Sequence, residues 1–110
     1  MVTNPVIEIT SEEFLERMAV RKEDALVKIA MAWSGAGQVL SRAMQDLATC
    51  YTNLNFFSID YDADSVLITM YQVEPIPTLL FFKKGMLVDK VSGLTQKSII
   101  SEKINQLINQ

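Results

Sequence analysis

Few side chains in this chain of 110 residues are equipped for chemistry, because histidine is absent and cysteine occurs once, at Cys50. Without histidine the commonest general base, the commonest transition-metal ligand and the serine–histidine–aspartate triad are all excluded. One cysteine cannot close an internal disulfide. Cys50 reads first as a small buried apolar group, and second as a redox thiol open to intermolecular pairing or glutathionylation. The carboxylates Asp60, Asp62 and Asp64 alternate like the opening of a calcium loop, but the glycine and the closing glutamate of such a loop are missing. They read as a strand end and the N-cap of the next helix. Neither a metal nor a cofactor is expected. What remains is the turn Ala32-Trp33-Ser34-Gly35-Ala36-Gly37-Gln38, lying between an apolar run and an amphipathic helix, where α/β proteins keep their functional groups. Its one hydroxyl, Ser34, reads as a helix N-cap contributing about 0.5–2 kcal/mol over alanine.

The elements that must hold this turn follow from periodicity. Val6 to Ile9 is a short strand. Thr10 opens a helix with Glu13 three residues on, the spacing of a capping box. Phe14, Leu15, Met18 and Ala19 recur at helical intervals, and the helix should end near Arg21 and Lys22. Ala25 to Met31 is apolar on both faces except at Lys28, which predicts a central strand covered on both sides. Val39, Leu40, Ala43, Met44, Leu47 and Ala48 mark a helix ending near Tyr51. Asn55–Asp60 is the next strand, and Ser65–Tyr71 a short helix. Thr78–Phe82 and Met86–Val91 form a hairpin turned at Gly85 and closed at Gly93. Thr95 is expected to cap a last helix with Ile99, Ile100, Ile104, Leu107 and Ile108 as its apolar stripe. The order βαβαβαββα predicts an α/β fold. Its mixed sheet is parallel in the first half and ends in an antiparallel hairpin, with helices on both faces.

Composition narrows the partners. An apolar fraction of 49% and a charged fraction of 21% fit a single globular domain spanning residues 1–110. A formal net charge of −3 and a longest basic run of Lys83-Lys84 argue against nucleic acid. No apolar run reaches the roughly 20 residues of a membrane span. The first residues, MVTNPVIEIT, have neither a positive n-region nor a long apolar segment, so no signal peptide is read and a cytoplasmic location is expected. The six methionines fall at core-like spacing and read as packing.

With the landmarks in order, the chain resembles the thioredoxin family from end to end. Trp33-Ser34-Gly35-Ala36-Gly37 stands where thioredoxins carry Trp-Cys-Gly-Pro-Cys. Val73-Glu74-Pro75-Ile76-Pro77-Thr78 stands at the cis-proline loop, and Lys84-Gly85 and Gly93 match the hairpin and its closing glycine. The resemblance implies the thioredoxin fold, five strands flanked by four helices. It also implies a cis bond before Pro77 and a peptide-binding edge made by Trp33, Ile76 and Pro77, where an extended segment could pair with the backbone.

The departures bear on function. Dithiol exchange needs one thiolate to attack and a second thiol to resolve the mixed disulfide. Ser34 and Gly37 supply neither, so dithiol reductase activity is not expected. Lys28 stands where the resemblance places a buried aspartate beneath the turn. A Ser34–Lys28 hydrolytic pair has no further support in the sequence. A lone buried ammonium is costly, and the expectation is a structural pair between Lys28 and Asp60, or else an ammonium that reaches water. Ala36 and Arg42 replace family prolines. The helix should therefore run straight, with Gly37 weakening its first turn by about 1 kcal/mol. The leading expectation is a non-catalytic domain that binds a protein or peptide through the Trp33 and Ile76-Pro77 face. The alternative is a thiol–disulfide oxidoreductase whose chemistry is confined to Cys50. Homodimerisation across the turn face is a third reading.

Overall fold

The computed structural model describes residues 6–109, so the N-terminal residues on which the signal-peptide reading mostly rests, and Met1 with them, lie outside it. The elements are β1 (Val6–Glu8), α1 (Ser11–Arg21), β2 (Ala25–Ala30), α2 (Gly35–Cys50), β3 (Asn55–Asp60), α3 (Val66–Met70), β4 (Thr78–Lys83), β5 (Met86–Ser92) and α4 (Lys97–Ile108). The strands form one sheet in the order β1-β3-β2-β4-β5. β1 and β2 both run parallel to β3, while β4 runs antiparallel to β2 and β5. This is the mixed five-stranded sheet with four helices that the sequence predicts.

Strand period divides the core in two. Ala25, Val27 and Ile29 join Phe57, Ile59, Leu80 and Phe82 beneath α1 and α3. Leu26 turns the other way, joining Phe56, Leu79 and Phe81 beneath α2 and α4. On the first face Phe14 of α1 meets Phe57 and Phe82 edge-on, with ring centroids 5.5 and 5.1 Å apart. Alternation sends Lys28 and Ala30 to the α2 face, in line with Leu26.

The capping box forms: Thr10 Oγ1 accepts from Glu13 N–H, and the Glu13 carboxylate accepts from Thr10 N–H, each at 3.1 Å. Those bonds favour the charged form and hold Glu13 below the usual carboxylate range. Two other caps differ from expectation. Thr95 does not cap α4; its hydroxyl donates to the Gly93 carbonyl at 3.2 Å, and Gln96 occupies the cap position without a side-chain bond. The short α3 is capped by Ser65, while the Asp62 carboxylate accepts from the Asp64 N–H within the preceding turn. The methionines divide as well. Met18 and Met44 are buried, whereas Met70 and Met86 are exposed on the surfaces of α3 and β5.

Candidate functional site

Sheet register assembles the site. Ile29 pairs with Thr78, Ala30 with Asp60, and Thr78 with Ser92. The turn after β2, the start of the β3–α3 loop, the proline loop before β4 and the Gly93 turn after β5 therefore meet at one end of the sheet. The peptide bonds before Pro75 and Pro77 are both cis. The Gly93 N–H donates to the Pro77 carbonyl at 2.7 Å, tying two of these loops together.

Within the turn, Ser34 is the N-cap of α2 in extended conformation, and its hydroxyl accepts from the Gly37 N–H at 3.1 Å. Ser34→Ala should therefore cost about 0.5–2 kcal/mol in chemical denaturation. A variant as stable as the parent would remove the capping role. Gly35 has nothing within 4 Å of where a Cβ would stand. Gly37 is buried, and a Cβ there would lie 2.9 Å from Ala30 Cβ and 3.4 Å from the Met31 carbonyl oxygen. The first turn of α2 sits directly on the end of β2, leaving no room for a side chain at position 37. α2 then runs unbroken for 16 residues.

Lys28 corrects the expected ion pair. Its ammonium donates to the Gly37 carbonyl at 3.3 Å and, in a short bond, to the Ser41 hydroxyl. The ion pairs among the described residues do not include Lys28–Asp60. Register supplies the reason. Lys28 lies opposite Ser58, and Asp60 is two residues further along β3, opposite Ala30, at an exposed strand end. Asp60 stays hydrated while the lysine reaches across to α2. Burial lowers the Lys28 pKa from its ordinary 10.5, and the negative charges of Asp60 and Glu8 work against that shift. A cleft of about 190 Å³ beneath α2 is lined by Glu8, Lys28, Ser41, Ser58 and Asp60 among others. Ser41 and Glu8 are the partners that sequence reasoning missed. Ser41 had a signal: it is a polar residue one helical turn after Gly37, beside a buried lysine.

The residues expected to form a binding face separate by exposure. Trp33 is 78% exposed. Ile76 is half-buried against the core, and Pro77 is buried, which removes its ring from any contact surface. Pro75 and Glu74 are exposed instead, and with Tyr61 and Ile76 they line an open pocket of about 580 Å³. Ala36 is half-buried. Cys50 is exposed rather than buried, because it falls two residues beyond buried Ala48, about 200° around the helix. It ends α2, about 22 Å along the axis from Gly35 at 1.5 Å per residue. No group of three or more metal-ligating side chains clusters among the described residues. No described helix is long and apolar enough to cross a membrane.

The family model for thioredoxin matches residues 5–106. The thioredoxin of Pyropia yezoensis is 27% identical over 105 residues, covering 94% of this chain and 98% of that protein. A Staphylococcus aureus thioredoxin is 28% identical over 102 residues, covering 92% and 96%. Among solved structures, thioredoxin NaTrxh from Nicotiana alata superposes with a TM-score of 0.82 at 25% identity, over 96% of each chain.

Proposed function

The chain belongs to the thioredoxin family, and from that premise we propose that it is a protein-binding domain rather than a dithiol oxidoreductase. One observation carries this reading. Of the two positions where the family resemblance expects cysteines, Ser34 is committed to capping α2 and Gly37 is closed over by Ala30 and Met31. Dithiol exchange requires an attacking and a resolving thiol within reach of each other. The only sulfhydryl, Cys50, lies at the far end of α2. The recognition half of the site is retained: an exposed Trp33, a half-buried Ile76 and an open pocket beside the proline loop. An extended peptide would pair with the backbone of the proline loop and set an apolar side chain into that pocket. A cytoplasmic setting belongs to the same proposal and accords with a single unpaired thiol.

Two measurements test it. In dithiothreitol-driven insulin reduction the protein should add nothing to the rate of dithiothreitol alone. A rate enhancement that disappears in Cys50→Ser would replace the binding reading with a monothiol one. In affinity capture from its host's extract, proteins retained by the parent should be lost from Trp33→Ala and Ile76→Asp. If both variants keep every partner, this face is not the docking surface.

A further inference from the structure

Charge in this molecule is separated along the strand axis. The end at which β2 begins carries Arg21 and Lys22 at the C-terminus of α1 and Lys83 and Lys84 in the hairpin opposite Ala25. Arg17 and Arg21 are already matched there by Glu23, and Lys83 by Asp24. The opposite end, where Trp33 and the proline loop lie, carries Glu8, Glu12, Asp60, Asp62, Asp64 and Glu74. Two described cations offset it in part: Lys28 is buried and bonded to α2, and Lys90, which shares a pocket with Glu74, donates to the Tyr71 and Gln72 carbonyls. An acidic groove of about 440 Å³, lined by Glu8, Glu12, Asp60, Tyr61 and Asp62 among others, adjoins the apolar pocket, because Tyr61 lines both. The indole of Trp33, 78% exposed at the same end, is the best side-chain acceptor of a cation–π contact.

We propose that the segment bound at this face is basic: an extended peptide with an apolar residue in the Tyr61–Pro75–Ile76 pocket and an arginine or lysine flanking it. The inference rests on the peptide-binding reading above and adds the chemistry of the occupant. The apolar residue supplies the burial. The flanking cation meets Glu74 on one side, and Asp60 and Asp62 on the other, or stacks on Trp33. An acidic segment would meet like charge along the Glu8, Asp60 and Asp62 side of the rim, so the face selects by repulsion as well as attraction.

Trp33 is the only tryptophan and reports directly on this surface. Its fluorescence is titrated with three synthetic peptides that share a Val-Leu-Val core and differ only in paired flanking residues, arginine, glutamine or glutamate. The arginine peptide should bind at least tenfold more tightly than the glutamate peptide in about 50 mM salt, and the preference should collapse near 0.5 M as screening shortens the reach of the rim charges. Calorimetry of the Asp62→Asn, Glu74→Gln double variant should show about fivefold weaker binding of the arginine peptide, with the glutamine peptide unchanged. Equal binding of all three peptides overturns the basic specificity and leaves the docking face standing. Binding of none overturns both. A second copy of this chain, docking its basic end here, is the rival occupant. Concentration-dependent dimerisation in sedimentation, abolished by the same double variant, would assign the face to it and overturn the proposal.

Discussion

Replacing Gly37 by alanine should destabilise the fold by about 1–2 kcal/mol, while the same change at Gly35 should stabilise it by about 0.5–1 kcal/mol. Both glycines lie in the first turn of α2, and in both the substitution relieves the poor helix propensity of glycine, by up to about 1 kcal/mol. What separates them is space. A Cβ at Gly35 meets nothing within 4 Å, whereas one at Gly37 stands 2.9 Å from Ala30 Cβ and 3.4 Å from the Met31 carbonyl. Neither neighbour is the free end of a flexible side chain, so α2 must lift from β2. Lifting it stretches the Lys28 bonds to Gly37 and Ser41 as well. Thermal unfolding followed by circular dichroism should separate the variants by several degrees in opposite directions. A Gly37→Ala protein as stable as the parent would refute the close packing, and with it the main physical support for a turn that cannot take up a second thiol. The same contact sets the outcome of rebuilding a dithiol. Ser34→Cys should fold well, and adding Gly37→Cys should lower stability by more than alanine does.

Lys28→Asp should be more damaging, costing about 3 kcal/mol near neutral pH, the scale of an uncompensated buried charge. The change removes both hydrogen bonds that fasten β2 to α2. It also places a carboxylate in the cleft that Glu8 and Asp60 already line. That carboxyl would hold its proton more tightly in the folded chain than in the unfolded one. The penalty should therefore shrink as pH falls toward about 4 and grow as pH rises through the raised pKa. Lys28→Met serves as the control. In the parent, burial lowers the Lys28 pKa below 10.5. Between the lowered value and 10.5 the unfolded chain binds more protons, so stability from this group rises with pH. Burial raises the Tyr71 pKa above 10.0, which makes stability fall as pH rises past 10.0. Tyr71 is common to both proteins, so the difference between the parent and Lys28→Met curves isolates the lysine. A flat difference across that range, or a Lys28→Asp variant as stable as the parent at pH 7, would show that the ammonium is not buried against α2.

The sequence alone determined the element order, the capping box at Thr10 and Glu13, the Ser34 cap and the glycine-punctuated hairpin. These are local features, fixed by hydrophobic periodicity and by hydrogen bonds spanning three or four residues. It also determined that the turn holds no thiol, because that is a matter of residue identity. Partners brought together across the fold were not legible in the same way. The Lys28–Asp60 pair assumed that neighbouring strands place nearby charges in contact, whereas register set Lys28 against Ser58 and left Ser41 on α2 within closer reach. Thr95 lost its cap role because its hydroxyl closes the turn at Gly93, where φ is +87°. Cys50 reads first as a buried group in the sequence, whereas the rotation of α2 leaves it exposed. The difference between the two glycines is the clearest case. Nothing in Ser34-Gly35-Ala36-Gly37 says which one is indispensable, since the answer depends on how closely a helix approaches a strand, and only the packed tertiary structure fixes that distance.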